Sequence, residues 1–157
     1  MIKTVGKFIV SIAICHLAGV FGTIFTTTAV ESWYNYLNKP VFSPPNWVFG
    51  PAWAVLYTMM GIALFIVWIK AGSIERMKGQ MAIFSIQLLL NVLWTVLFFG
   101  LKMQLIAFVE MLILIIAIFY TIISFYKISK AAAYLLIPYI LWVGYAAVLN
   151  MTIALLN

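Results

Sequence analysis

"QLIAFVEMLILIIAIFYTIISF" (Gln104–Phe125) runs for 22 residues with one charged side chain, Glu110, and neither glycine nor proline. A helix needs about 20 apolar residues to cross the hydrocarbon core of a bilayer, so the stretch reads as a membrane span. It lacks the period-two alternation of a barrel strand. Outward from it, four more stretches have the same character: 5–27, 47–69, 80–99 and 132–155. Composition agrees: 67% of the residues are hydrophobic, 8% are charged, and the mean hydropathy is +1.18. A soluble domain carries roughly 25% charged residues. The sequence therefore predicts an all-α integral membrane protein, a five-transmembrane-helix bundle forming one domain over 1–157 with a long loop at 28–46.

The basic residues set the expected orientation. Lys3, Lys7, Lys70, Arg76, Lys78, Lys127 and Lys130 fall on one side of the five spans, and Lys39 and Lys102 on the other. Basic loops stay in the cytoplasm, so the N-terminus is expected there and the 28–46 loop and C-terminus opposite, with a plasma or inner membrane as the setting. The net charge of +6 is then topological, and no nucleic-acid partner is expected from it. Lys3 and Lys7 ahead of an apolar run also resemble a signal peptide. The run exceeds the usual h-region of about 7–15 residues and ends in a poor cleavage site at Thr27–Ala29, so it is read as the first helix. Cys15 is the single cysteine, in no metal or redox spacing, and reads as a small buried hydrophobe. No cofactor or metal is expected.

Polar side chains in a span turn toward the bundle or a cavity. In the third span Gln87, Asn91 and Thr95 recur every four residues, with Trp94 beside them, which places them on one face. Two readings stay open: amides that bind neighbouring helices, or amides that line a ligand cavity. The fifth span offers Tyr139, Trp142, Ala146 and Asn150 on one face, and the second offers Trp53, Tyr57 and Gly61. Pro138 removes a backbone donor and predicts a local bend. His16 reads as a satisfied core histidine, and Gly19 and Gly22 as close-packing positions. Glu110 is the single carboxylate inside a span, placed to reach the interface or a partner subunit. The basic–aromatic–aliphatic run Lys130–Leu136 fits a weak lipid pattern that the N-terminus fits equally, so it carries no cholesterol assignment.

The loop sequence "WYNYLNKPVFSPPNWVFGPAW" (Trp33–Trp53) is too long for a simple connection and too aromatic and proline-rich for a disordered one. An aromatic belt accounts for the rings; a stiff lid over the mouth of the bundle also accounts for the prolines and the length. With "NVLWTVLFF" (Asn91–Phe99) and "PYILWVGYAAVLN" (Pro138–Asn150), it resembles the TspO/MBR family of tryptophan-rich sensory proteins and translocator proteins, also called peripheral benzodiazepine receptors. The resemblance covers nearly the whole chain. It implies a five-helix bundle, usually a homodimer, that binds porphyrins such as protoporphyrin IX, drugs such as PK11195 and, in animal members, cholesterol. No basic residue follows Tyr145 here, a departure that puts the steroid link in doubt.

Carried over by motif, the implied pocket comprises Trp33, Tyr34, Trp53, Asn91, Trp94, Tyr139, Trp142, Ala146 and Asn150. The reading of the faces and the loop adds Tyr57, Gln87 and Lys39, the last as a partner for a ligand carboxylate. The expected function is a receptor, sensor or carrier for tetrapyrroles and related apolar ligands. An alternative is light-dependent porphyrin degradation, with Trp53 and Trp142 as the redox-active indoles. A third is a small proton-coupled exporter using Glu110.

Overall fold

The computed structural model describes residues 2–157, with side chains from residue 4 onward, so the side chain of Lys3 used in the orientation argument lies outside the described part. Five membrane-length segments appear. Helix α1 is Ile2–Ser32 and α2 is Asn46–Ala71. After a 3-10 turn at Glu75–Met77, α3 covers Lys78–Thr95 and continues as a π-helical turn at Val96–Gly100. Helix α4 is Gln104–Tyr126. The last segment is broken into α5, Lys130–Tyr134, and α6, Ile137–Leu156.

Each segment owes its form to local chemistry. Helix α1 extends past the expected end at residue 27, so the loop begins at Trp33. The hydroxyl of Ser32 donates to Thr28 O at 2.7 Å and the Trp33 amide to Ala29 O at 2.9 Å. Hydroxyls that bond back to a carbonyl four residues earlier are satisfied on the helix's own backbone, without water or a neighbouring helix. Helix α2 starts after Pro45, held in a polyproline-like conformation at φ −56° and ψ 143°. It stops at Gly72, whose φ of 83° few other residues adopt. The break between α5 and α6 lies immediately before Pro138, which has no N–H for the Tyr134 carbonyl.

Around the bundle the order is α1, α2, α5–α6, α4, α3, and α3 closes on α1. The core holds Met60, Leu64, Phe84, Met111, Ile118, Phe125 and Tyr139, each nearly or fully buried. Phe84 and Phe125 stack with centroids 5.6 Å apart. Outside, α4 exposes Leu105, Val109, Leu112, Ile116 and Phe119 along one side, the apolar face that a bilayer solvates. At the basic end, Lys7 donates to Gly72 O at 3.1 Å and lies over the Trp68 ring.

The first loop lies across the other end. A 3-10 turn at Tyr34–Tyr36 leads into a turn closed by Ser43 N on Pro40 O. Four bonds tie the loop to α6 and its C-cap: Tyr145 Oη donates to Phe42 O at 2.8 Å, Asn38 Nδ2 donates to Leu156 O at 3.4 Å, and the Asn38 backbone exchanges bonds of 2.9 and 3.0 Å with the Asn157 side chain. Asn46 Nδ2 donates to Asn35 Oδ1 at 2.6 Å and fixes the loop to the start of α2.

Candidate ligand-binding cavity

Beneath this loop, between α1, α2 and the end of α3, is a half-open cavity of about 470 Å³, within the ordinary range for small-molecule sites. One wall is aromatic. Trp53 stacks on Tyr57 at 5.6 Å and lies 6.3 Å from Trp94; Trp94 meets Phe99 edge-on at 5.9 Å, and Tyr34 lies 5.6 Å from Phe99. Phe49 completes the run. The other wall is α1, through His16, Gly19, Val20, Thr23, Thr26, Thr27, Val30 and Glu31. Their spacing of three to four residues is one helix face. Close approach is built into it: a Cβ on Gly19 would come within 2.5 Å of the Tyr57 ring.

Of the residues expected at a site, Tyr34, Trp53, Tyr57 and Trp94 line this cavity. The amide stripe does something else. Tyr57 donates to Asn91 Oδ1 at 2.6 Å, Asn91 Nδ2 donates to Tyr139 Oη at 3.2 Å, and Tyr139 donates to Gln87 Oε1 at 2.9 Å. Trp94 Nε1 donates to Asn150 Oδ1 at 3.2 Å, and Asn150 donates to Gln104 O at 2.8 Å. Gln87, Asn91, Tyr139 and Asn150 are buried connectors between α2, α3, α4 and α6. Gln87 and Asn91 of the stripe thus meet neighbouring helices, which offer partners at close range in a medium without water, while Trp94 and Thr95 beside them also line the cavity.

Ala146, buried on α6, packs in the core and does not reach the cavity. Trp142 also lies off it. Its indole sits in an outer apolar groove between α2 and α6 with Trp47, Pro51, Val55 and Pro138, 6.2 Å from Phe49 and 5.7 Å from Tyr145. Trp33 packs edge-on to Phe98 at 5.7 Å, behind the wall. Lys39 lies 4.2 Å above the Tyr34 ring, and Lys102, across the bundle end, 5.7 Å from the Trp33 ring. Each cation is thus held on an aromatic face. Burial pushes the Lys39 ammonium below its ordinary value, and burial pushes the Tyr34 phenol above its own.

His16 Nε2 lies 3.0 Å from Thr58 Oγ1, so the ring has a partner and also faces the cavity. Glu110 is buried on α4, away from the cavity, with both carboxyl oxygens unpartnered among the described residues. What the sequence reading missed was the contribution of α1. Its signal was the spacing of Gly19, Thr23, Thr26 and Val30, hidden because threonine in an apolar run resembles a helix ending.

A family model described as TspO/MBR family matches residues 11–156. Among known proteins, the tryptophan-rich protein TspO of Archaeoglobus fulgidus is 44% identical over 152 residues, 96% of this chain and 97% of the relative. The protein of the same name from Chlorobaculum tepidum is 37% identical over 157 residues, 100% of this chain and 99% of the relative. The translocator protein of Homo sapiens is 37% identical over 119 residues, 75% of this chain and 70% of the relative.

Proposed function

Because this chain belongs to the TspO/MBR family of multi-pass membrane sensors and receptors, we propose that it binds a flat apolar molecule of the tetrapyrrole class in the cavity between α1, α2 and α3, as a receptor or carrier. The observation that carries this reading is the continuous aromatic wall of Trp53, Tyr57, Trp94, Phe99 and Tyr34. Offset or edge-on ring contacts are worth about 0.5–1.5 kcal/mol each beyond area burial. A loop already tied to α6 and α2 has little ordering left to do on binding. The proposal includes the N-terminus on the cytoplasmic side, from the basic-residue asymmetry, and pairing with a second copy, from the family resemblance.

The test is a titration in the dark with protoporphyrin IX, followed by tryptophan quenching in wild type, Trp53→Phe and Trp142→Phe. Saturable quenching weakened by Trp53→Phe and left in place by Trp142→Phe is the expected result; quenching that never saturates overturns the reading. Trp53 is an indole on the cavity wall with a second indole 6.3 Å away, which favours light-dependent oxidation of the pigment by dioxygen as a second reading. Pigment products that require light and Trp53 would establish it.

A further inference from the structure

Donors are scarce on the cavity wall. Thr23, Thr26 and Thr27 donate to carbonyls of their own helix at 2.6, 2.7 and 2.8 Å, and Thr95 donates to Asn91 O. The hydroxyl of Tyr57 and the indole N–H of Trp94 are committed to the interior. Thr58 gives its one proton to Ala54 O at 2.8 Å, so the His16–Thr58 bond requires His16 Nε2 to be the donor. What remains to donate is the Trp53 indole N–H, the Tyr34 phenol and one amide hydrogen of Asn46. Lone pairs of the threonine hydroxyls are the more abundant polar groups.

Charge adds a direction. Among the described residues Glu31 is the one carboxylate on the wall, and no Lys or Arg lines it; Lys39 lies against the Tyr34 ring and outside the lining. Glu31 is also in the last turn of α1, where no basic residue stands. A helix carries the equivalent of about half a negative charge at its C-terminus, and an acid there is unfavourable. The mouth of the cavity therefore presents one carboxylate at the negative end of α1, with no lining cation beside it among the described residues.

We propose that Glu31 tunes the charge preference of this cavity among flat apolar ligands, favouring a cationic amine at its end of the mouth and disfavouring a carboxylate placed there. The inference rests on the cavity reading above and specifies the chemistry of that site. The positive end of α2, at Asn46, opens on the same mouth and is what a carboxylate would use instead.

The experiment uses the full chain in phosphatidylcholine nanodiscs at low salt and neutral pH, read by tryptophan quenching. The probes are 9-aminoacridine, cationic there, acridine, neutral there, and protoporphyrin IX. Glu31→Gln should weaken 9-aminoacridine about three- to fivefold, the size of an exposed ion pair, leave acridine unchanged and strengthen protoporphyrin IX. Glu31→Lys should extend both trends while acridine binding shows that the cavity is intact. Equal binding of 9-aminoacridine to all three chains, or parallel losses of both acridines, overturns the inference. If protoporphyrin IX saturates and neither acridine binds, the inference falls and the cavity reading stands. If no probe saturates, both fall.

Discussion

The Tyr57 hydroxyl donates to Asn91 Oδ1 at 2.6 Å, so one ring faces the cavity while its polar end is fastened in the centre of the bundle. Through Asn91 the same bond reaches Tyr139 and Gln87. The cavity wall and the packing of α2, α3 and α6 are therefore mechanically one unit.

Replacing Asn91 tests that unity. Asn91→Leu removes the acceptor for Tyr57 and the donor to Tyr139, and each orphaned buried group costs about 1–3 kcal/mol. Thermal unfolding in detergent should show the loss. Ligand affinity should fall less than in Trp53→Ala, because Asn91 holds the wall and does not line it. A variant of wild-type stability with abolished binding would mean that Asn91 touches ligand directly.

Two glycines of α1 should respond in opposite ways. A methyl on Gly19 would sit 2.5 Å from Tyr57 Cε2, whereas one on Gly22 would meet Thr95 at an ordinary 3.5 Å. Gly19→Ala is expected to cost about 1–3 kcal/mol of overpacking and to weaken ligand binding by displacing the ring. Gly22→Ala should be neutral or gain up to about 1 kcal/mol of helix propensity. Equal melting temperatures for the pair would contradict the packing described.

Alkaline pH separates the two titrating groups of the loop. Lys39 is held below its ordinary 10.5, so its protonated form is penalised in the fold; that penalty is full below the lowered value and disappears as pH rises through it toward 10.5. Tyr34 is held above its ordinary 10.0, so its contribution is full below 10.0 and is lost as pH rises beyond it. Tyr34→Phe should therefore gain stability as pH approaches 10.5, and Lys39→Met should lose it above 10.0. Melting curves between these limits check both signs, and identical slopes in the two variants would refute the assignment.

Glu110 offers a contrast with Glu31. It is 6% exposed, with both oxygens unpartnered, an expensive place for a charge. Glu110→Gln keeps the shape and removes the charge, so thermal stability should hold or rise and cavity affinity should stay unchanged. A loss of more than about 1 kcal/mol would reveal a partner for the carboxyl, and loss of ligand binding would tie it to the site.

The bundle was legible because its determinants are local: spans of about 20 apolar residues, and stripes that repeat at helical spacing. Partner choice was not. Gln87, Asn91 and Thr95 form the interior stripe that their spacing implies, yet spacing cannot say whether a tyrosine or a ligand meets an amide. Tyr139 and Trp142, three residues apart, diverged because α6 touches α4 along one side and faces α2 across a groove on another. Helix α1 was underestimated for a related reason. Its threonines satisfy their hydroxyls on their own backbone, so residues that read as polar behave as small, nearly apolar surface.

The π-helical turn at Val96–Gly100 carries one residue more than an α-helical turn would hold. Within it each residue turns through less than the roughly 100° of a regular 3.6-residue helix, and the α3 segment ends there. Phe98 and Phe99, edge-on to each other at 4.8 Å, lie within this turn, and Phe99 lines the cavity. The widened last turn of α3 thus carries the two rings at the place where the aromatic wall meets the first loop.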